Sequence, residues 1–226
     1  MKEKTKTQTP EKAPLEQYWA LRLEEVRKAL EENNFRESID ESREEAAEQI
    51  FSQLTEANPS SVSYGGSMSL QSLGVLDKIA EMKGVQLLRP DGANLSLEEK
   101  LELRRQGLLV DLYFTGSNAV TEEGHLVNLD MIGNRVGALT FGPKRVIVVA
   151  GRNKIVPDLE TAMNRVKDLA APANTMRLKM KTPCVKTSHC HDCKSPSRIC
   201  NTWTITEKSF PKGRISVILI NEELGL

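Results

Sequence analysis

Two segments of this 226-residue chain are continuous apolar runs, and they restrict the fold more than any other feature. Residues 108–114 and 145–150 carry leucine, isoleucine, valine and aromatic side chains at consecutive positions, and residues 214–220 repeat the pattern. A strand with one wet face alternates apolar and polar residues, whereas a strand apolar at successive positions must be covered on both faces, as inside a parallel sheet. Parallel neighbours need a crossover, and the intervening sequence offers helices for it. Leu15, Tyr18, Trp19, Leu23, Val26 and Leu30 recur at spacings of three and four, which predicts an amphipathic helix over residues 14–33. Further helices are expected at 42–55, from the Gly-rich turn at 65–67 to about 83, at 96–106 behind the capping pair Ser96 and Glu99, and from Pro157 to about 171–172. Short strands are expected at 35–40, 61–64 and 85–89, and residues 133–135 read as a loop. The alternation predicts an α/β fold: a Rossmann-like, mostly parallel sheet with helices on both faces. One domain over 14–226, after a flexible tail at 1–13, accounts for the length.

Charge removes some function classes. Thirty-one basic residues balance 31 acidic ones, so no overall field draws the protein to nucleic acid or to anionic lipid. No segment approaches the roughly 18 consecutive apolar residues of a membrane span, and the N-terminus lacks the apolar stretch of a secretory signal. A cytoplasmic protein is expected.

Ligands of parallel sheets bind beyond the carboxyl ends of strands. Two segments placed there carry small or polar residues. In the first, Gly65 and Gly66 allow close approach of the backbone, and Ser67 and Ser69 offer hydroxyls to a phosphate or carboxylate or, equally, cap the helix that follows. The second, at 115–123, holds Thr115, Gly116 and Asn118 as ligand candidates, and Asn134 and Arg135 follow nearby. Glu122 and Glu123 are candidate acids, bases or nucleophiles if desolvated, and otherwise belong to a solvated turn.

All four cysteines lie between Cys184 and Cys200. In a reducing compartment such a cluster reads as metal ligation before it reads as a disulfide framework. Cys190 and Cys193 form a C-x-x-C chelating step, and Cys184 and Cys200 complete a four-thiolate set within a knuckle at 182–201. The spacing admits zinc or a [4Fe–4S] cluster. His189 and His191 are left exposed or beside the ligands.

In chain order, Gly65-Gly66-Ser67 with Ser69 and Leu70, residues 111–124 with Glu122 and Glu123, Gly133-Asn134-Arg135, and 142–149 followed by Gly151 to Lys154 resemble the LUD (lactate-utilization) family over roughly residues 15–220. The resemblance implies a fold similar to that of sugar-phosphate isomerases and coenzyme A transferases. In those relatives the Gly-rich turn holds a phosphate or other anion, which here implicates Gly65, Gly66, Ser67 and Ser69; their wider catalytic patterns are absent. It also implies one component of a multi-protein iron–sulfur system oxidising lactate to pyruvate. The cysteines resemble a subgroup with Thr-Pro-Cys and Ser-Pro-x-Arg-Ile-Cys.

The leading expectation is an organic-acid component with an anion pocket, a four-Cys metal site, a small anionic metabolite as ligand and iron–sulfur partner subunits. Its rivals are a stand-alone transferase or isomerase for a phosphorylated or coenzyme A-linked substrate using Glu122 or Glu123, and a non-catalytic metabolite-binding module. The N-terminal helix, with Tyr18 and Trp19, packs on its own domain or on a second copy in a homo-oligomer.

Overall fold

The computed structural model describes residues 13–226, so the tail expected at 1–13 lies outside the described residues apart from Ala13. Helix α1 (Pro14–Glu32) opens on a proline, where a missing N–H costs nothing, and buries Leu23, Val26 and Leu30. It is followed by β1 (Arg36–Asp40), α2 (Arg43–Ala57), β2 (Ser61–Tyr64), α3 (Met68–Ser72), α4 (Val75–Ala80), β3 (Gln86–Leu87), α5 (Leu97–Gln106) and β4 (Leu112–Gly116). Next come β5 (Ala119–Thr121), β6 (Leu126–Asp130), α6 (Asn134–Thr140), β7 (Arg145–Gly151), β8 (Ile155–Val156) and α7 (Leu159–Arg165). The chain continues with α8 (Ala171–Arg177), α9 (Cys184–Thr187), β9 (Thr202–Thr206) and β10 (Ile215–Ile220).

Six strands form one wholly parallel sheet in the order β1-β10-β7-β4-β2-β3. The continuous apolar runs do what their pattern requires. Along β7, Val146, Val148 and Ala150 join a core with α1, while Ile147 and Val149 join a second core with α2, α3 and α4. Strand β10 divides in the same way, Val217 and Leu219 to one face and Ile218 and Ile220 to the other. Each such side chain contributes roughly 1.5–3 kcal/mol of burial, and helices are needed on both faces to collect it. From β2 the chain steps outward to β3, and from β4 it steps the other way to β7. The carboxyl ends of β2 and β4 therefore flank a topological switch point.

A second, four-stranded sheet in the order β8-β5-β6-β9 has antiparallel β5–β6 and β6–β9 pairs and a parallel β5–β8 pair. Val120, Leu126 and Ile155 turn toward the α1 core, while Ala119, Val127 and Val156 pack on Ala162 of α7. Among the described residues no helix is long and apolar enough to cross a membrane.

The structure corrects several expected boundaries. Gly74, in the left-handed region at φ 62°, divides the helix expected to reach residue 83 into α3 and α4. The loop expected at 133–135 runs into α6, because the Asp130 carboxylate accepts from the backbone N–H groups of Arg135 and Val136, both at 3.1 Å, and caps the helix from outside. The helix expected to end near 171–172 passes through a wide π turn (Val166–Ala170) into α8. That wider turn accommodates Pro172, which has no N–H to donate.

At the opposite edge, Asp111 joins the amino ends of β2 and β4. Its Oδ2 accepts from Ser60 N at 2.9 Å, Ser60 Oγ at 2.6 Å and Ser61 N at 3.2 Å, and Lys144 Nζ lies 2.7 Å from Oδ1. The hydrogen bonds from Lys144 and then Ser60 hold its carboxyl far below the usual carboxylate range. A carboxyl depressed on folding stabilises the protein above its unfolded pKa of about 4, and that contribution is lost as pH falls below this value. Urea unfolding should show Asp111→Ala less stable by about 2 kcal/mol near neutral pH, with the difference from the parent protein shrinking toward pH 3.

Candidate functional site

At the switch point, β2 ends and Gly65 N donates to Phe114 O at 2.8 Å, keeping the first loop against β4. Ser67 caps α3 by accepting from Leu70 N at 3.2 Å. Opposite it, Gly116 closes β4, and a Cβ there would stand 2.7 Å from Ser67 Oγ. Only glycine permits the two loops this approach.

Asn118 is clamped on every side. Its Oδ1 accepts from Arg135 Nη2 at 2.8 Å and Leu129 N at 2.9 Å, its N donates to Asn128 Oδ1 at 3.1 Å, and its carbonyl accepts from Arg165 Nη1 at 2.6 Å. Arg135 is itself fixed by Asp130, to whose Oδ1 it donates Nε at 2.7 Å.

The third contribution comes from just beyond β7. Lys154 sits in a single 3-10 turn (Arg152–Lys154) and is only 4% exposed. Its Nζ donates to Ser69 Oγ at 2.9 Å, and Ser69 passes its own hydrogen to Leu224 O at 3.1 Å. Burial, followed by the Arg165 and Arg135 charges, brings its pKa down to about 7. Arg177 and Asn174 of α8 close the far side, with Arg177 Nε donating to Asn174 Oδ1 at 2.9 Å.

These groups surround an open cleft of about 60 Å³ that no acidic side chain lines. Gly66, Ser67, Gly116, Asn118 and Arg135, all expected from sequence, are part of its wall. Gly65, Ser69, Thr115 and Asn134 stand behind it: Thr115 is buried, Asn134 donates to the Tyr113 hydroxyl at 3.2 Å, and Ser69 carries Lys154. Glu122 and Glu123 lie elsewhere. Glu122 pairs with Arg22 of α1 at 2.5 Å, and Glu123 is exposed, 3.5 Å from His125 Nδ1. Lys154, Asn174 and Arg177 join the set without having been expected. A lysine directly after the most apolar strand is the sequence signal for the first, whereas Arg177 comes within reach only because the helix continues past Pro172.

Beyond α8, Cys184, Cys190, Cys193 and Cys200 are free thiols, all partly exposed, that line one cavity with His191 and Arg198. Arg198 ties the lobe together by donating Nη1 to Cys193 O at 2.7 Å and Nη2 to Cys200 O at 2.6 Å. Cys184 Sγ lies 3.3 Å from Thr175 Oγ1 and 3.2 Å from Thr182 Oγ1. Four thiols on one cavity suit a thiophilic metal in donor type. Among the described residues no three His, Cys, Asp or Glu side chains stand in a ligating arrangement.

A family model described as LUD domain matches residues 23–220, a span that includes the cleft from β2 to α8 and all four cysteines. The crystal structure of a DUF162 family protein from Deinococcus radiodurans is similar in fold, with a TM-score of 0.52 and 17% identity over 90% of this chain and 98% of that one. No curated protein matches.

Lys154, brought down to about 7, changes its charge as pH rises through that value. Sulfate, whose charge is constant in this range, should bind about tenfold more weakly once Lys154 is neutral, the loss of one charge-assisted hydrogen bond. Calorimetric titration of the parent protein and of Lys154→Gln across this range checks it, and the variant should bind weakly with little pH dependence.

Proposed function

Because the chain belongs to the LUD-domain family, we propose that it binds a small organic anion, lactate or a related acid, in the cleft between β2 and β4 and serves organic-acid oxidation alongside iron–sulfur partner subunits. One observation carries this reading: Arg135, Lys154 and Arg177 converge on a cleft with no acidic side chain, in a chain whose total charge is zero. Lys154 is buried with no acidic partner among the described residues, which is costly, and a bound carboxylate would offset that cost. Arg135 has Nε and Nη2 committed to Asp130 and Asn118, which leaves Nη1 to reach the ligand. Ser67 and Asn118 fix the walls, and Arg177 at the rim admits and holds the charge.

We assign a second part to the cysteine lobe, with Cys184, Cys190, Cys193 and Cys200 as ligands of one metal centre, zinc or a [4Fe–4S] cluster. Their shared cavity and the absence of any disulfide among them support this. Zinc would close the lobe structurally, whereas a cluster would supply electron transfer beside the cleft.

Gly66 separates ligand binding from folding, because a Cβ there meets nothing within 4 Å. Gly66→Val should keep the unliganded melting temperature within about 2 °C and abolish the stabilisation given by lactate, pyruvate or sulfate. If none of these anions stabilises the parent protein, the anion-binding reading is wrong. Metal analysis with a visible spectrum on protein purified without oxygen tests the lobe. Brown protein with iron and labile sulfide identifies a cluster, colourless protein with zinc identifies a structural site, and protein free of both removes the metal assignment.

A further inference from the structure

We propose that Lys154 is a nucleophile that forms an imine with a carbonyl-bearing organic anion held in the cleft. This deepens the anion-binding reading and rests on it. The geometry separates Lys154 from the other cations of the cleft. Arg135 is anchored by Asp130, and Arg177 stands at the exposed rim, but Lys154 rises from the floor at the carboxyl end of the central strand β7. It is nearly buried, forms no ion pair among the described residues, and has Ser69 Oγ as its hydrogen-bond partner. A lysine that only neutralised an anion would gain nothing from this desolvation, and its long stem is not needed where two guanidinium groups already offer charge.

An amine nucleophile, by contrast, needs its lone pair, and burial beside cations is the physical means of freeing it. With a pKa of about 7, a substantial fraction of the side chain is neutral near neutral pH. Ser69 gives its hydrogen to Leu224 O and so presents only lone pairs to Nζ, which holds the amine in place. With the substrate's charged group on Arg135 and Arg177, its carbonyl carbon is directed to the floor.

The Nζ lone pair attacks that carbon while one N–H hydrogen passes to the carbonyl oxygen, giving a carbinolamine. The C–O bond then breaks, and the second N–H hydrogen leaves with the oxygen as water. One C–N double bond replaces one C–O double bond, and no oxidant is needed. The imine draws electrons from the neighbouring carbon, so the class of reaction it supports is proton exchange or bond cleavage next to a carbonyl.

The experiment is reductive trapping on the full chain. Protein is incubated with pyruvate, or with glycolaldehyde phosphate, and cyanoborohydride, and adducts are located by peptide mass spectrometry. One reduced adduct on the peptide containing Lys154, suppressed by excess sulfate and absent from Lys154→Arg, is expected; the better of the two probes tells whether the cleft takes a carboxylate or a phosphate. Ser69→Ala should slow trapping about fivefold, the effect of one hydrogen bond, and shift its pH midpoint downward. Adducts scattered equally over surface lysines in parent protein and Lys154→Arg, with sulfate still binding, overturn the nucleophile and leave the anion cleft standing. No adduct and no sulfate binding overturn both.

Discussion

The ion pair between Asp130 and Arg135 holds the functional edge of the molecule together. Asp130 ends β6 in the small sheet and is almost fully buried, yet its two oxygens cap α6, fix Arg135 and, through Arg135, orient Asn118 in the loop after β4. One carboxylate thus joins the second sheet to the main one at the place where β2 and β4 diverge. A buried pair of this kind adds little net stability, because desolvation cancels most of the attraction, but removing either partner leaves an uncompensated charge inside the protein. What it supplies is geometry: a guanidinium with two donors committed and one arm free, beside a loop that cannot drift.

That geometry gives meaning to the other cations. Arg165 bonds the carbonyls of Asn118 and Asn153, and burial lowers its pKa even so. Together with Arg135 it raises the cost of placing a proton on Lys154. Formal charge over the whole chain is zero, but at the switch point positive groups are concentrated between low-dielectric walls, which focuses the field on whatever anion enters. The lysine's weakened basicity is one consequence of this placement, and the anion binding proposed for the cleft would be another.

The parts of this arrangement that follow local rules were legible in the sequence. Continuous apolar runs at β7 and β10 required a parallel sheet covered on both faces, Ser96 with Glu99 marked the start of α5, and the small residues after β2 and β4 marked loops with close backbone approach. What was hidden depends on contacts between distant residues. The start of α6 is capped by Asp130, which lies outside the helix and matches no local capping pattern. Lys154 reads as one more basic residue until the fold buries it against Ser69, 85 positions away in the chain. Strand β9 did leave a signal, the β-branched alternation from Thr202 to Thr206, but its neighbourhood is dominated by the cysteines and it becomes a strand only by pairing with β6.

The continuous helix from α7 through the π turn to α8 separates the two chemical features and belongs to both. Ala170, Asn174 and Arg177, at spacings of four and three, face the cleft, while Ala171, Pro172 and Thr175 face the cysteine cavity. Arg165, one turn earlier, holds the Asn118 loop. A helix with a π turn and a proline in its middle is less uniformly bonded than a regular one, and such turns concentrate at functional sites. Thr175, on the same turn as Asn174 and Arg177, lies against Cys184 Sγ. Any ligand that prefers one position of this helix on either side must alter affinity on the other by the same factor, because linkage between binding sites is reciprocal. The cleft and the cysteine lobe therefore share this helix as a common wall.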